Sequence, residues 1–126
     1  MSEISAPVGA IVRVWFPESE AVMEPGPKFR PALVLDVSNG PNGRREALVA
    51  YGTSQNTRSC QLGEFTVKSG DAHALDRDTK FCLKRAVWLP LSREYFCSGR
   101  TQPAPVPLQR PVLLVLSQAA KEARLI

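Results

Sequence analysis

Apolar and polar positions alternate in short runs along most of this chain, and only near its end does the pattern switch to a helical period. After Gly9, the run Ala10-Ile11-Val12-Arg13-Val14-Trp15-Phe16 is rich in β-branched and aromatic residues and predicts a strand ended by Pro17. A period of two puts Val12, Val14 and Phe16 on one face, assigned to the core. Ile11, Arg13 and Trp15 share the other, a mixture expected of a surface partly covered by a neighbour. Ala32 to Val37 predicts a second strand, burying either Leu33, Leu35 and Val37 or the alternate set. The cluster Ser38-Asn39-Gly40-Pro41-Asn42-Gly43 predicts a hairpin turn, with Ala47 to Tyr51 as the returning strand. Glu64 to Lys68 alternates as a fourth strand, and Thr79 to Leu83 with Ala86 to Leu89 supply one or two more. Pro90 breaks the last of these, and Ser92 is placed to cap a short helical turn through Phe96.

Two stretches interrupt the pattern. Glu18 to Lys28 holds three glutamates, two prolines and a glycine, and predicts an irregular loop leading straight into Arg30, a flap over whatever Arg30 binds. Ser98 to Arg110 holds Pro103, Pro105 and Pro107 and predicts an extended linker. Beyond it, Pro111 suits the first turn of a helix running to about Arg124. Val112, Val115, Leu116, Ala119, Ala120 and Ala123 form a stripe at helical spacing, while Leu113 and Leu114 add apolar surface elsewhere. Such a helix needs cover, from its own domain or from a second copy. The organisation predicted is a barrel over residues 1–97, a Pro-rich linker over 98–110 and a C-terminal helix over 111–126. Several short strands and one late helix favour a mainly β fold, a small antiparallel barrel, over an α/β design.

Length and composition keep this picture within bounds. The chain of 126 residues, 44% hydrophobic and 22% charged, suits one soluble domain and argues against wholesale disorder. No apolar run reaches the length of a membrane span, and the opening Met1-Ser2-Glu3-Ile4-Ser5 lacks the features of a signal peptide, so a cytoplasmic protein is expected. Cys60, Cys82 and Cys97 are odd in number and widely spaced, which predicts reduced thiols without a zinc or redox motif. The net charge of +4 is modest, but residues 25–100 carry 12 Lys/Arg against 7 Asp/Glu. The positive potential therefore belongs to the strand-rich body, where it can attract a polyanion; an ordinary solvated surface is the alternative.

The chemistry concentrates in Phe29-Arg30-Pro31-Ala32-Leu33-Val34-Leu35 and in Tyr51-Gly52-Thr53-Ser54-Gln55. An antiparallel hairpin sets the start of one strand beside the end of the next, so Arg30 and the Thr53/Ser54 hydroxyls are expected at one rim of the sheet. A fixed cation beside two hydroxyls is suited to phosphate. Two plainer assignments stand beside this one. Arg30 can pair with a loop glutamate such as Glu24, and Thr53 with Ser54 can form a hydroxyl-capped turn.

The order Gly-x-Ile-Val-x-Val-x-Phe, loop, Arg30-Pro31-Ala32-Leu33-Val34-Leu35, hairpin, then an apolar strand ending in Thr53-Ser54, resembles the MazF/PemK (Kid) toxins of toxin–antitoxin systems, over roughly Gly9 to Leu91. Thr79-Lys80-Phe81 and Val87-Trp88-Leu89-Pro90 are similar to the strand pair that closes that domain. The resemblance implies an SH3-like barrel of the MazF/CcdB type that forms a homodimer. It also implies cleavage of single-stranded RNA, messenger RNA in particular, without a metal or other cofactor, and inhibition by an acidic antitoxin, with DNA bound as part of the toxin–antitoxin complex. No membrane partner is implied. The family's catalytic arginine and threonine correspond to Arg30 and Thr53, with Ser54 as helper. Three departures stand out. Ala10 replaces a frequent aspartate, Tyr51-Gly52 replaces the Pro-x before Thr-Ser, and a family loop glutamate has Glu24 as its nearest match.

RNA carries its own nucleophile in the 2′-hydroxyl, so a catalyst need only align it, stabilise charge on phosphorus and assist the leaving 5′-oxygen. No His/Asp/Glu cluster has metal-ligand spacing, which agrees with that chemistry. Arg30 is expected to clamp phosphoryl oxygens bidentately; some family accounts add proton transfer, for which a guanidinium is poorly suited. Gln55 and Asn56 are candidates for reading bases, Glu24 and Lys28 for substrate contact from the loop, and Arg44 and Arg45 for touching RNA backbone. Tyr51, Trp15 and Trp88 either stack bases or pack in the core or dimer seam. His73 is expected to be an exposed turn residue. Two other functions compete: a gyrase-poison relative of the same fold, disfavoured because the chain ends Ala123-Arg124-Leu125-Ile126 rather than Trp-Gly-Ile, and a non-catalytic SH3-like nucleic-acid- or protein-binding module.

Overall fold

The computed structural model describes residues 4–18, 24–40, 43–69 and 75–124. Its elements are β1 (Ala10–Trp15), β2 (Phe29–Asn39), β3 (Arg45–Thr53), β4 (Glu64–Val67), β5 (Thr79–Pro90), α1 (Arg93–Phe96), β6 (Val106–Pro107) and α2 (Arg110–Glu122). The six strands form one sheet in the order β4-β5-β3-β2-β1-β6, antiparallel at every pairing. The fold is mainly β, a curled six-stranded half-barrel with a C-terminal helix.

Curling follows from where the apolar side chains meet. Ile11 of β1, Leu33 of β2, Ala50 of β3, Phe65 and Val67 of β4, and Phe81 and Leu83 of β5 join one cluster on the inner face. Leu108, Ala119 and Ala120 close it from the C-terminal side, with Val112, Leu116 and Ala123 packed at its margin. Helix α2 therefore covers its own barrel with the predicted stripe. Val115 is the exception at 49% exposed, and Leu114 lies outside the stripe at 73%. The outer face carries a second cluster of Val12, Val14, Phe16, Ala32, Val34, Ala47, Val49, Leu89, Tyr95 and Phe96, which α1 covers. Two covered faces explain why Ala32, Leu33 and Val34 are all buried, where alternation predicted one set or the other.

Two bulges set the register. In β2 the pairing with β3 shifts between Val34 and Asp36. In β5 the predicted pair of strands is one long strand, with Tyr51 opposite Cys82 but Ala50 opposite Ala86. Leu83, Lys84 and Arg85 thus form an extra loop of strand, pinned where the Leu83 N–H donates to the Gly63 carbonyl at 2.8 Å.

The predicted linker departs most from expectation. Val106 and Pro107 pair with Ile11 and Ala10, and the Leu108 N–H donates to Gly9 O at 3.3 Å. Proline is tolerated there because β6 is an edge strand with one side left unpaired. Ser92 stands at the N-cap of α1 as predicted, but its hydroxyl makes no capping bond. The glutamate-rich loop falls partly outside the described residues, as does the hairpin tip, and His73 lies wholly outside them. Where the loop rejoins the sheet, the Gly26 N–H donates to Trp15 O, and a Cβ at Gly26 would collide with Phe16 O.

Candidate functional site

Register brings the two halves of the candidate site together. Ala32 pairs with Tyr51, and two residues further along an antiparallel pair Arg30 stands across from Thr53. On their other sides Arg30 pairs with Val14 and Thr53 with Lys80. Four strands thus fix one rim. Arg30, Thr53 and Ser54 line a single cavity of about 240 Å³ with Arg13, Pro31, Gly52, Asp76, Arg77 and Thr79. That volume falls below the ~300 Å³ at which pockets for drug-sized ligands begin, so it suits a small group.

Neither plainer assignment removes these groups from reach. Arg30 has no carboxylate partner among the described residues; its guanidinium carbon lies 5.3 Å from the centre of the Tyr51 ring. Glu24 is exposed and acts elsewhere: after burial and Glu94, its charge is the third cause holding the Tyr95 hydroxyl above its ordinary pKa. Thr53 does shape a turn, its hydroxyl oxygen accepting the Gln55 N–H at 3.1 Å. That bond uses a lone pair and leaves the O–H to donate into the cavity.

Three arginines and one aspartate line this cavity. Arg13 reaches Asp76 at 3.7 Å and donates to Phe29 O at 3.4 Å. The Asp76 side chain is 94% exposed, so water screens the pair heavily. Positive potential from Arg30 and Arg77 is left in excess. Thr79, buried in the wall, donates its hydroxyl to Arg77 O at 3.1 Å and fixes the turn entering β5.

Gly52 is the steric key. A Cβ there would stand 2.5 Å from Pro31 O, 3.0 Å from a Phe81 ring carbon and 3.1 Å from Thr79 Cγ2. Only glycine lets the end of β3 lie this close to the start of β2, which is what sets Thr53 beside Arg30.

A second cavity of about 250 Å³ adjoins the first through Arg30, lined also by Phe16, Pro17, Glu18, Pro27, Lys28, Tyr51 and Arg85. Lys28 does not line the Arg30/Thr53 cavity but this neighbouring one. The half-buried Tyr51 ring is engaged by Arg85, 4.0 Å from its centre, and by Phe16 in an edge-type contact at 5.2 Å. Trp15 is structural, donating its indole N–H to Cys97 O at 2.8 Å and packing on Phe29. Trp88, 39% exposed on β5, lines a separate cavity with Leu48, Leu83 and Ala123.

The loop after Ser54 is tied down from below. Lys80, 8% exposed, donates to Ser59 O at 3.0 Å and lies 3.6 Å from Glu64. Thr66 donates to Thr57 O at 2.7 Å. The Gln61 N–H donates to Glu64, and this bond, opposed by burial and aided by Cys82 and Lys80, holds the Glu64 carboxyl below its ordinary range. Burial first, and then its bond to Glu64, push the Cys82 thiol up to about 11. Gln55 and Asn56 are exposed at the rim beside Ser54, outside both cavities, with Asn56 in a left-handed conformation at φ 52°.

Arg44 and Arg45 do not join the site. Arg45 pairs with Asn39 at the other end of β2, about 30 Å from Arg30 at ~3.3 Å per residue. Sequence reasoning also missed Arg13, Arg77 and Arg85. The pairing of β5 with β3 offered the signal for Arg77, since a strand starting at Thr79 brings its preceding turn to the end of β3. Arg85 carried none, because a bulge places it.

Among the described residues no three His, Cys, Asp or Glu side chains gather as metal ligands, and no helix is long and apolar enough to cross a membrane. No protein-family model matches the chain, and no curated protein matches it.

Proposed function

We propose that this protein is an endoribonuclease cutting single-stranded RNA without a metal, a toxin of the MazF/PemK kind built on an SH3-like barrel. One observation carries the reading: Arg30 and Thr53 line the same small cavity with an excess of positive charge. In this reading the 2′-oxygen attacks the adjacent phosphorus, its proton passing to solvent. The P–O5′ bond breaks, the leaving oxygen takes up a proton, and a 2′,3′-cyclic phosphate remains. Arg30 grips two phosphoryl oxygens as negative charge grows, and the Thr53 O–H donates to the same group. Ser54, at the exposed end of the strand, adds a further donor. Gln55 and Asn56 stand where a base flanking the cut would pass. An acidic antitoxin would compete for the same cationic rim, and a second copy of the chain would cover the exposed Leu114 and Val115 of α2.

The test is cleavage of single-stranded RNA in EDTA, with the 3′ end groups identified. Wild-type protein should leave 2′,3′-cyclic phosphates, and Arg30→Ala should cut at least about 10²-fold more slowly, the loss typical of removing one charge-stabilising donor. Undiminished cleavage by folded Arg30→Ala protein would refute the assignment.

A further inference from the structure

We propose that the cavity on the far side of Arg30 is a second phosphate subsite, in which Arg85 and Lys28 hold the backbone phosphate next to the one being cut. The inference rests on the endoribonuclease reading and extends it to substrate grip. Arg85 and Arg30 share one aromatic ring: their guanidinium carbons lie 4.0 and 5.3 Å from the centre of Tyr51, and Arg85 also lies 5.9 Å from that of Phe16. Neither arginine has a carboxylate partner among the described residues. Two like charges converging on a half-buried ring repel one another, and an anion between them relieves that repulsion. A guanidinium laid over a ring spends its face on the ring and keeps its N–H donors pointing outward, in the plane that phosphate oxygens need.

The placement of Arg85 depends on the three-residue excursion in β5. Cys82 pairs with Tyr51 and Ala86 with Ala50, so Arg85 arises from residues that have no counterpart on β3. Bulges beside a site re-aim side chains toward it. Tyr51 stands where the resembling family has proline, so this perch comes with the departure itself. Lys28 completes the subsite from the loop, and Glu18 sits exposed on its wall as the opposing charge. A point charge and a guanidinium fork favour a phosphate over a base. Arg30 is the common wall, so a strand threading both cavities presents consecutive phosphates to Arg30 and to Arg85.

The test uses a labelled single-stranded oligonucleotide lacking every 2′-hydroxyl, which can bind but cannot be cut, titrated by fluorescence anisotropy over a range of salt. Arg85→Gln should weaken binding about tenfold and lower the slope of log affinity against log salt by ~0.7, one single-strand phosphate contact. Arg85→Lys should keep the slope while losing affinity, and Glu18→Gln should tighten binding. A wild-type salt slope in Arg85→Gln overturns the subsite. If wild-type protein meanwhile binds and cuts RNA, the Arg30 site stands without it. Wild-type protein that neither binds nor cuts sinks both.

Discussion

Replacing Gly52 with alanine adds one methyl group at the point where β3 approaches β2 most closely. That carbon would lie 2.5 Å from Pro31 O and within 3.1 Å of both Phe81 and Thr79. The oxygen is backbone, and Phe81 is fully buried, so neither can swing aside as a flexible side chain would. Relief requires the two strand ends to part by roughly half an ångström to one ångström, and overpacking of this kind costs about 1–3 kcal/mol. Alanine returns about 0.5–1 kcal/mol by restricting the unfolded chain. A net loss of about 1 kcal/mol should lower Tm by about 4 °C in a domain of this size, measured by thermal denaturation with circular dichroism. On the proposed nuclease reading, cleavage should suffer more than stability, because the strand ends that separate carry Arg30 and Thr53, and a misplacement of about 1 Å can cost ~10²-fold in rate. Gly43→Ala is the control. Nothing stands within 4 Å of a Cβ there, but its φ is +73°, so alanine should cost about 1 kcal/mol in backbone strain and leave cleavage untouched. Gly52→Ala protein with wild-type Tm and wild-type cutting would refute the claim that close strand approach builds the site.

The remaining predictions concern the supports beneath the loop. The Glu64 carboxyl is held below its ordinary value, so its stabilisation is complete above about 4.5 and is lost as pH falls through its lower folded value. Glu64→Gln should therefore lower stability by about 1 kcal/mol at neutral pH, and the difference in Tm from wild type should shrink on acidification; a gap that widened at low pH would contradict this. Cys60 is exposed, whereas Cys82 has its thiol raised to about 11 and Cys97 is buried. Iodoacetamide at mildly alkaline pH should modify Cys60 in native protein and reach the other two only on unfolding, as peptide mass mapping would reveal.

The pieces that local pattern controls were legible in the chain: the strands, the Gly/Asn hairpin, and the helical stripe of Val112, Leu116, Ala119, Ala120 and Ala123. So was the pairing of Arg30 with Thr53, because a hairpin ties the start of one strand to the end of the next whatever lies between. Pro105 and Pro107 misled, since composition reads as a linker while the edge of β1 offered carbonyl and N–H groups that an extended Pro-rich segment could still meet. Arg44 and Arg45 misled differently. Basic residues near this hairpin turn lie at the end opposite the start of β2 and the end of β3, and the eleven-residue length of β2 carries them out of reach. Arg85 was hidden because side-chain alternation fails wherever one strand carries more residues than its partner.

Tyr51 and Gly52 are where sequence and site meet most tightly. Neighbours on a strand face opposite sides of the sheet, and here each side has its own use. Gly52, by having no side chain, admits Pro31 O on the inner side and so keeps Arg30 beside Thr53. Tyr51, on the outer side, carries Arg85 on its ring and reaches Arg30 at the rim. A proline at position 51 would remove the perch, and any side chain at position 52 would push the strand ends apart. These two residues therefore govern how the cations are held. The placing of the arginine beside the hydroxyl thus depends on the strand that bears the threonine.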